Sequence, residues 1–195
     1  MGILLSGAGR TMVNIAEHIK RGELQAEIVQ VISSRPNAAG VERARQLGLE
    51  PVIVRRKDWP DVEAFSGQLA EVFDEAKVDL VCQCGWLCYW RIPRRYDRRV
   101  MNIHPALLPS FGGKGMWGEH VHAAVLKAGC RISGCTVHFV NNEYDAGPII
   151  LQRSCPVPDD DDVESLAARV FKEECIAYPE AIRMFAEGRL SHAEL

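Results

Sequence analysis

Two segments near the middle of the chain carry the side chains with the clearest catalytic potential. The first, residues 100–109, reads VMNIHPALLP and contains Asn102 and His104, and the second, residues 133–152, contains Asp145. Both segments include apolar runs typical of strands. An amide, an imidazole and a carboxylate at the ends of strands can stabilise an oxyanion and move protons. The three residues are therefore candidates for an acyl-transfer centre.

The spacing of Asn102 and His104 supports this interpretation. Alternate residues of a strand face the same side, so these two side chains are predicted to point together. Open α/β sheets bind their ligands at the carboxyl ends of strands, which is where His104 is expected. The loop around Asp145 reads NNEYDAGP, and a plain hairpin turn explains that composition equally well. Asp145 is therefore a catalytic candidate only in combination with Asn102 and His104.

A glycine-rich turn, SGAGRT, follows the first apolar run. Glycines let a ligand approach the backbone, and the first amides of a following helix favour an anion. The turn lacks the third glycine of a dinucleotide fingerprint and the Gly-Lys-Ser/Thr ending of a P-loop, and a simple tight turn explains it about as well. If it binds a phosphate, the contacts are expected from Gly7, Ala8, Gly9, Arg10 and Thr11.

The elements that must position these residues follow an alternating pattern. Apolar runs predict strands at 3–5, 27–33, 51–54, 80–84 and 100–103, and amphipathic stretches predict helices at 11–21, 38–47 and 61–76. This β-α-β rhythm is typical of a mostly parallel sheet with right-handed crossovers. We therefore predict an α/β, Rossmann-like fold with a mostly parallel, twisted sheet flanked by helices.

The pattern changes after residue 103. A glycine-rich loop at 111–118 precedes a predicted helix at 119–128 and two strands at 131–140 and 148–156, which we expect to pair as an antiparallel C-terminal portion. The acidic run 159–162 suits a helix N-terminus. Pro179 is expected to bend or interrupt the long helix that follows. No repeat or linker is visible, so we expect one domain over residues 1–195.

Composition limits the classes of function. The 195 residues are 47% hydrophobic and 25% charged with a net charge of −3, which is ordinary for a soluble globular protein and gives no sign of a nucleic-acid or membrane surface. We expect small-molecule partners and a cytoplasmic location, because no signal peptide or membrane helix is apparent. The seven cysteines are expected to be free thiols. Cys82, Cys84 and Cys88 lie on or beside a strand, so we expect buried apolar residues rather than a metal site.

The two central segments resemble the formyltetrahydrofolate-dependent formyltransferases. The family patterns N-I-H-P-x-L-L-P and V-H-F-V-x-x-x-x-D-x-G-P-I-I-L-Q are nearly intact, and the likeness runs from about residue 80 to 190. The tail from Glu174 to Leu190 resembles the purine-biosynthetic branch of this family. The resemblance implies formyl transfer from 10-formyltetrahydrofolate to the amine of glycinamide ribonucleotide, without a metal, by a monomer or homodimer. It also implies a phosphate-binding N-terminal half and a folate-binding C-terminal half.

The resemblance also assigns roles to residues. Protonated His104 and Asn102 would hold the oxyanion of a tetrahedral intermediate, while Asp145 would raise the basicity of His104 and help to transfer protons. The amine substrate would contact Gly85, Pro105 and Glu174. The folate would lie along two segments, mostly touching backbone, with contacts from Leu87, Cys88, Tyr89, Trp90, Val140, Asn141 and Tyr144.

Three departures from the family pattern affect substrate binding. The usual S-G-x-G-S/T-N-L loop here continues as Gly9-Arg10-Thr11-Met12, so we expect Arg10 and Thr11 to replace the missing donors. Cys88 stands where relatives carry a basic residue near the folate entrance. The loop 112–120 is about five residues longer than usual, and Lys114 within it is a candidate phosphate contact; a lid, an interface or a mobile surface loop are the alternatives.

Competing functions remain open at this point. A hydrolase would use the same centre with water in place of the amine and release formate. A related transferase would act on another amine, such as an amino sugar nucleotide. A nucleotide-binding module without catalysis would depend on the Gly7–Gly9 turn, with Arg35 suited to a phosphorylated cofactor, although a solvated loop explains Arg35 equally well.

Overall fold

The computed structural model describes residues 1–190. The chain divides into two compact units, and the division falls between Asn102 and Ile103, inside one strand. No helix within the described residues is both long enough and apolar enough to cross a membrane.

The first unit is a parallel sheet with helical crossovers. Its strands are hydrogen-bonded in the order β3-β2-β1-β4-β5, and every pair is parallel. The strands are β1 (Gly2–Leu5), β2 (Gln30–Ser33), β3 (Val52–Ile53), β4 (Val81–Gln83) and β5 (Val100–His104). The helices are α1 (Arg10–Lys20), α2 (Ala39–Gln46) and α3 (Val62–Glu75), with short 3-10 turns at Arg56–Asp58 and Arg94–Tyr96.

The buried residues of this unit are consistent with the central position of β1 in its parallel sheet. All four residues of β1 are buried, as expected for a parallel strand covered on both faces. The α3 helix buries Phe65, Leu69 and Phe73, which follow the spacing of an apolar helix face. The crossover pattern predicted from sequence is confirmed.

Several strands are shorter than predicted, and the second is shortened most. The second strand begins at Gln30 rather than at residue 27, because the preceding segment bonds to the chain start instead of continuing the ladder. The N-terminal ammonium donates to the carbonyl of Glu27 at 2.6 Å, and Val29 N–H donates to the carbonyl of Met1 at 3.0 Å. The third strand is reduced to Val52–Ile53.

The second unit is built on an antiparallel hairpin. Strand β6 (Ile132–Phe139) pairs with β7 (Ile149–Pro156), and helices α4 (Glu119–Lys127) and α5 (Val163–Ala186) complete the unit. Gly134 is required in β6, because a Cβ atom there would overlap the carbonyl oxygen of Arg153 on β7. The predicted antiparallel C-terminal portion is therefore confirmed, and with it the α/β fold class.

The last helix shows one correct and one wrong prediction. Asp162 caps α5 through a hydrogen bond from Ser165 N–H at 2.8 Å, so the acidic run does mark a helix N-terminus. Of the prediction that Pro179 bends or interrupts the helix, the interruption is wrong, because α5 continues to Ala186, and the bend stays a prediction. A proline removes one amide donor, and the apolar face buried around it, including Tyr178 and Ile182, keeps the helix formed.

Candidate active site

Strand β5 sets the positions of Asn102 and His104. The strand begins with fully buried apolar residues, and His104 is its last residue. Asn102 is partly exposed, whereas His104 is only 2% exposed. The two residues are separated by one position on the strand, so strand alternation keeps the expectation that their side chains share a side.

The ring of His104 is fixed by a backbone carbonyl. Its Nε2 atom lies 2.8 Å from the carbonyl oxygen of Phe111. A carbonyl oxygen only accepts hydrogen bonds, so Nε2 must carry the hydrogen in both protonation states of the ring. The proton that His104 gains or loses is therefore the one on Nδ1, and this atom lies 3.5 Å from Oδ2 of Asp145.

Asp145 lies in the turn between β6 and β7 with a left-handed backbone conformation (φ 53°). Its Oδ2 atom accepts a hydrogen bond from Gly113 N–H at 2.9 Å. The neighbouring Gly112 packs closely, since a Cβ atom there would lie 3.2 Å from the Cβ of Asp145. The start of the glycine-rich loop therefore contacts both members of the pair, through Phe111 at His104 and through Gly113 at Asp145.

The electrostatics of the pair favour a neutral imidazole and an ionised carboxylate at neutral pH. Burial lowers the pKa of His104 below its ordinary value of 6.5, although the charge of Asp145 opposes this shift. Burial alone would raise the pKa of Asp145, but the nearby imidazole of His138, the charge of His104 and the hydrogen bond from Gly113 N–H outweigh it and hold that pKa below 3.8. His104 is thus suited to accept a proton, and it would then reach the protonated form that the resemblance assigns to it beside the oxyanion.

A second polar group shapes the segment that leaves β5. The buried hydroxyl of Thr136 on β6 donates to the carbonyl of Ala106 at 2.7 Å and accepts from Leu108 N–H at 3.0 Å. Gln152 on β7 donates to the same hydroxyl and to the carbonyl of Leu108, both at 2.9 Å. These bonds anchor the backbone just after His104. The sequence analysis did not identify Thr136 or Gln152.

Two buried histidines were also missed. His138 on β6 lies with Nε2 3.7 Å from Oδ1 of Asp145, and His122 on α4 is 5% exposed. The Nδ1 atom of His122 has no hydrogen-bond partner among the described residues. Burial lowers the pKa of His122, and the charge of His104 lowers it further. His138 lies inside the same motif as Asp145, which is the sequence signal that could have revealed it.

In the first unit, the glycine turn between β1 and α1 is shaped by α2. Gly9 has a φ of 71°, and a Cβ atom on it would lie 2.7 Å from the Cα of Gly40. The carbonyl of Gly7 accepts from Gly40 N–H at 3.0 Å, and Arg43 donates to the carbonyl of Ala8 at 2.6 Å. Packing therefore explains the glycines, while no side chain caps the first amides of α1.

Comparison with known proteins tests the family membership that the sequence motifs suggested. A sequence profile of the formyl transferase family matches residues 1–182. The chain belongs to the formyl transferase family. The chloroplastic phosphoribosylglycinamide formyltransferase of Vigna unguiculata is 37% identical over 97% of this chain and 62% of its own length. The phosphoribosylglycinamide formyltransferase of Haemophilus influenzae is 31% identical over 97% of this chain and 88% of its own length.

A solved structure agrees with this family membership. Glycinamide ribonucleotide transformylase 1 from Symbiobacterium toebii is 42% identical with a TM-score of 0.90, and the match covers 96% of this chain and 87% of that one. Some curated relatives are much longer. The chain spans 62% of the Vigna protein and 14% of the trifunctional purine biosynthetic protein adenosine-3 of Drosophila melanogaster, with which it is 36% identical.

In this formyl transferase family member, the predicted folate segment of the first unit is only partly accessible. Leu87 is 44% exposed and its N–H donates to Ser6 Oγ at 3.0 Å. Cys88 and Tyr89 are partly exposed. Trp90 is 3% exposed, and its indole N–H donates to the carbonyl of Ser66 at 3.3 Å. The Trp90 side chain therefore belongs to the core.

The other predicted contacts lie at varied depths. Within the first unit, Gly7, Ala8, Arg10 and Gly85 are exposed, Thr11 is partly exposed and Gly9 is buried. Within the second unit, Lys114, Asn141 and Tyr144 are exposed, whereas Pro105, Val140 and Glu174 are partly exposed. Of the predicted catalytic residues, the structure brings His104 and Asp145 together directly.

Proposed function

We propose that this formyl transferase moves the formyl group of 10-formyltetrahydrofolate to the amine of glycinamide ribonucleotide, a step of purine biosynthesis. The observation that carries the proposal is the pair formed by His104 Nδ1 and Asp145 Oδ2, 3.5 Å apart, with Nε2 of His104 committed to the Phe111 carbonyl. We take the proposed acceptor, glycinamide ribonucleotide, from the names of the Vigna, Haemophilus and Symbiobacterium relatives.

In the first step, the substrate amine attacks the formyl carbon. A carbon–nitrogen bond forms, and the electrons of the carbonyl bond move to oxygen, giving a tetrahedral oxyanion. Neutral His104 takes the amine proton on Nδ1, directly or through a water molecule, and becomes an imidazolium beside Asp145. The amide of Asn102 and this imidazolium then stabilise the oxyanion. A lowered His104 pKa suits this order, because the ring is ready to accept a proton.

In the second step, the intermediate collapses. The carbonyl bond forms again, the bond between the formyl carbon and N10 of the folate breaks, and N10 takes the proton from Nδ1 of His104. Asp145 stabilises the imidazolium between the two proton transfers, since an anion 3.5 Å away favours the charged ring. The products are the formylated ribonucleotide and tetrahydrofolate, and the enzyme returns to its starting state.

Binding contacts are part of the same proposal. The ribonucleotide phosphate would bind at the uncapped start of α1, where backbone amides and Arg10 favour an anion. Lys114 is a second candidate cation for the phosphate, and Glu174 on α5 is the candidate contact for the glycinamide group. The folate would use backbone atoms of 87–90 and 140–145.

The cellular setting proposed here is the cytoplasm, with small molecules as the only partners and a monomer or homodimer as the working form. None of the seven cysteines, which all lie within the described residues, forms a disulfide, and this suits a reducing compartment. The Vigna relative is chloroplastic, so fractionation of the native host is the direct check of location.

A panel of amines tests the choice of acceptor. Purified protein is mixed with 10-formyltetrahydrofolate and with glycinamide ribonucleotide, an amino sugar nucleotide or no amine, and tetrahydrofolate and formate are measured. Turnover with glycinamide ribonucleotide alone supports the proposal. Preferred turnover with the sugar nucleotide overturns the substrate, and formate release without an amine overturns the transferase assignment in favour of a hydrolase.

A further inference from the structure

His138 is a buried imidazole that the catalytic steps above do not use. It is 1% exposed, and its Nδ1 atom lies 2.9 Å from the carbonyl oxygen of Phe139. Its Nε2 atom lies 3.7 Å from Oδ1 of Asp145. The two oxygens of Asp145 are thus divided between two histidines, because Oδ2 faces Nδ1 of His104 at 3.5 Å.

An irregularity in the hairpin contributes to this orientation. Val137 pairs with Leu151 and His138 pairs with Ile149, so the register slips by one residue between two neighbours on β6. A β-bulge of this kind re-aims nearby side chains. The hydrogen bond to Phe139 also fixes which ring nitrogen faces Asp145, because a flipped ring would lose the bond between Nδ1 and the carbonyl. Both features direct Nε2 of His138 toward Asp145. Because Nδ1 must carry the hydrogen that it donates to the carbonyl, Nε2 also carries one only in the imidazolium form, which is the form that can donate to both partners.

We propose that His138 is a positioning residue, which holds Oδ1 of Asp145 so that Oδ2 stays directed at Nδ1 of His104. The proposal rests on the formyl transfer proposed above for its catalytic consequence, but its geometry stands independently. A carboxylate in a turn has rotational freedom, and a polar partner on its second oxygen removes that freedom. Loss of His138 would therefore act through Asp145 rather than on the substrates.

A purely structural role is the competing explanation, in which His138 serves only to bond the Phe139 carbonyl. Two substitutions separate the roles, since the amide nitrogen of glutamine occupies roughly the place of Nε2, and that of asparagine roughly the place of Nδ1. His138→Gln keeps a donor toward Asp145, whereas His138→Asn keeps a donor toward Phe139. Both remove the imidazole.

Steady-state kinetics with 10-formyltetrahydrofolate and glycinamide ribonucleotide give the first readout. We expect His138→Gln to keep kcat within about threefold of the unsubstituted enzyme, and His138→Asn to lower kcat on the order of tenfold or more with little change in either KM, since a misdirected catalytic group slows chemistry more than binding. In an Asp145→Ala background the difference between the two variants should disappear. Equal losses in both variants, or rescue by asparagine alone, would overturn the proposal.

A second readout needs no turnover. The titration of His104 is followed by NMR in both variants. Three groups act on its ring electrostatically: Asp145 from the turn, residue 138 of β6 and His122 of α4. The charge of Asp145 raises the pKa of His104, so the titration midpoint should be higher in His138→Gln than in His138→Asn. Identical midpoints overturn the proposal.

The two readouts keep the two proposals distinguishable. Different midpoints in a protein that transfers no formyl group would support the positioning role and overturn the proposed function. Formyl transfer with identical His104 midpoints in the two variants would support the proposed function and overturn the positioning role. If His138→Asn does not fold, as judged by its circular dichroism, His138→Met replaces it as the variant that fills the site without a donor, and the same inequality of midpoints is required.

Discussion

The carbonyl oxygen of Phe111 fixes the tautomer of His104, because it lies 2.8 Å from Nε2 and can only accept a hydrogen bond. In the proposed mechanism, the catalytic proton would then enter and leave at Nδ1, next to Asp145. The loop that begins at Phe111 therefore defines the chemistry of the histidine even though it contributes a backbone atom. The predictions below follow from this arrangement.

The first prediction concerns the dependence of rate on pH. In the proposed mechanism neutral His104 accepts the amine proton, so kcat/KM should fall as the pH drops through the His104 pKa, at a midpoint below 6.5. Asp145→Asn removes the charge that raises this pKa, so the midpoint should move to still lower pH while the plateau rate falls. A pH–rate profile of both proteins measures the shift. An acid limb that stays in place or moves upward in the variant contradicts the assignment of His104.

The second prediction concerns the space beside Asp145. In Gly112→Ala the new Cβ would lie 2.5 Å from a methyl carbon of Leu108 and 3.2 Å from the Cβ of Asp145. Overpacking of this kind costs about 1–3 kcal/mol, and here it should displace the carboxylate and lower kcat on the order of tenfold. Gly67→Ala, inside α3 and with open space around its Cβ, is the matched control and should gain about 0.5–1 kcal/mol without loss of rate. An unchanged kcat in Gly112→Ala would show that the loop does not hold Asp145.

The third prediction concerns the Thr136 hydroxyl. Thr136→Val keeps the shape but leaves Leu108 N–H and the Ala106 carbonyl without this partner, so we expect a loss of about 1–3 kcal/mol in the free energy of unfolding. Thr136→Ser restores the hydroxyl and should recover most of that loss. Urea denaturation of the three proteins is the measurement. Equal stability of the Thr136→Val protein and the unsubstituted protein would mean that the hydrogen bonds of the Thr136 hydroxyl do not contribute to the free energy of unfolding.

The fourth prediction concerns acid stability. His104 and His122 both have a lowered pKa in the folded state, mainly through burial, so the unfolded chain binds more protons below pH 6.5. Stability should therefore be full above pH 6.5 and decline as the pH falls toward the folded-state pKa values. His122→Asn should reduce the slope by up to about 1.4 kcal/mol per pH unit, the contribution of one proton. An unchanged slope in His122→Asn would contradict the burial argument for that residue.

Much of the fold was predictable because local patterns decide it. The buried β1 strand and the capped start of α5 both follow from short stretches of sequence. The failures have tertiary causes. Residues 27–29 bond to the chain start rather than extending β2, and α5 continues past Pro179 because its apolar face is buried. Neither contact is visible in a local pattern.

The site was predictable to a different extent. His104 and Asp145 each lie in a recognisable sequence motif. They are 41 positions apart in the sequence, and the structure places Nδ1 of His104 near Oδ2 of Asp145. The Phe111 carbonyl is a backbone atom and leaves no signal in side-chain chemistry. Thr136 and Gln152 look like ordinary strand residues, and their roles appear only when the two strands and the segment after β5 are seen together. The partners that orient a catalytic group are thus harder to predict than the group itself.

The central claim is that this chain transfers a formyl group to an amine through His104. The most direct measurement is the rate of tetrahydrofolate release from 10-formyltetrahydrofolate, with and without glycinamide ribonucleotide, for the unsubstituted protein and for His104→Ala. We expect release only when the ribonucleotide is present, and a rate lower by on the order of a hundredfold in the variant. Release without the ribonucleotide, or an undiminished rate in His104→Ala, would contradict the account.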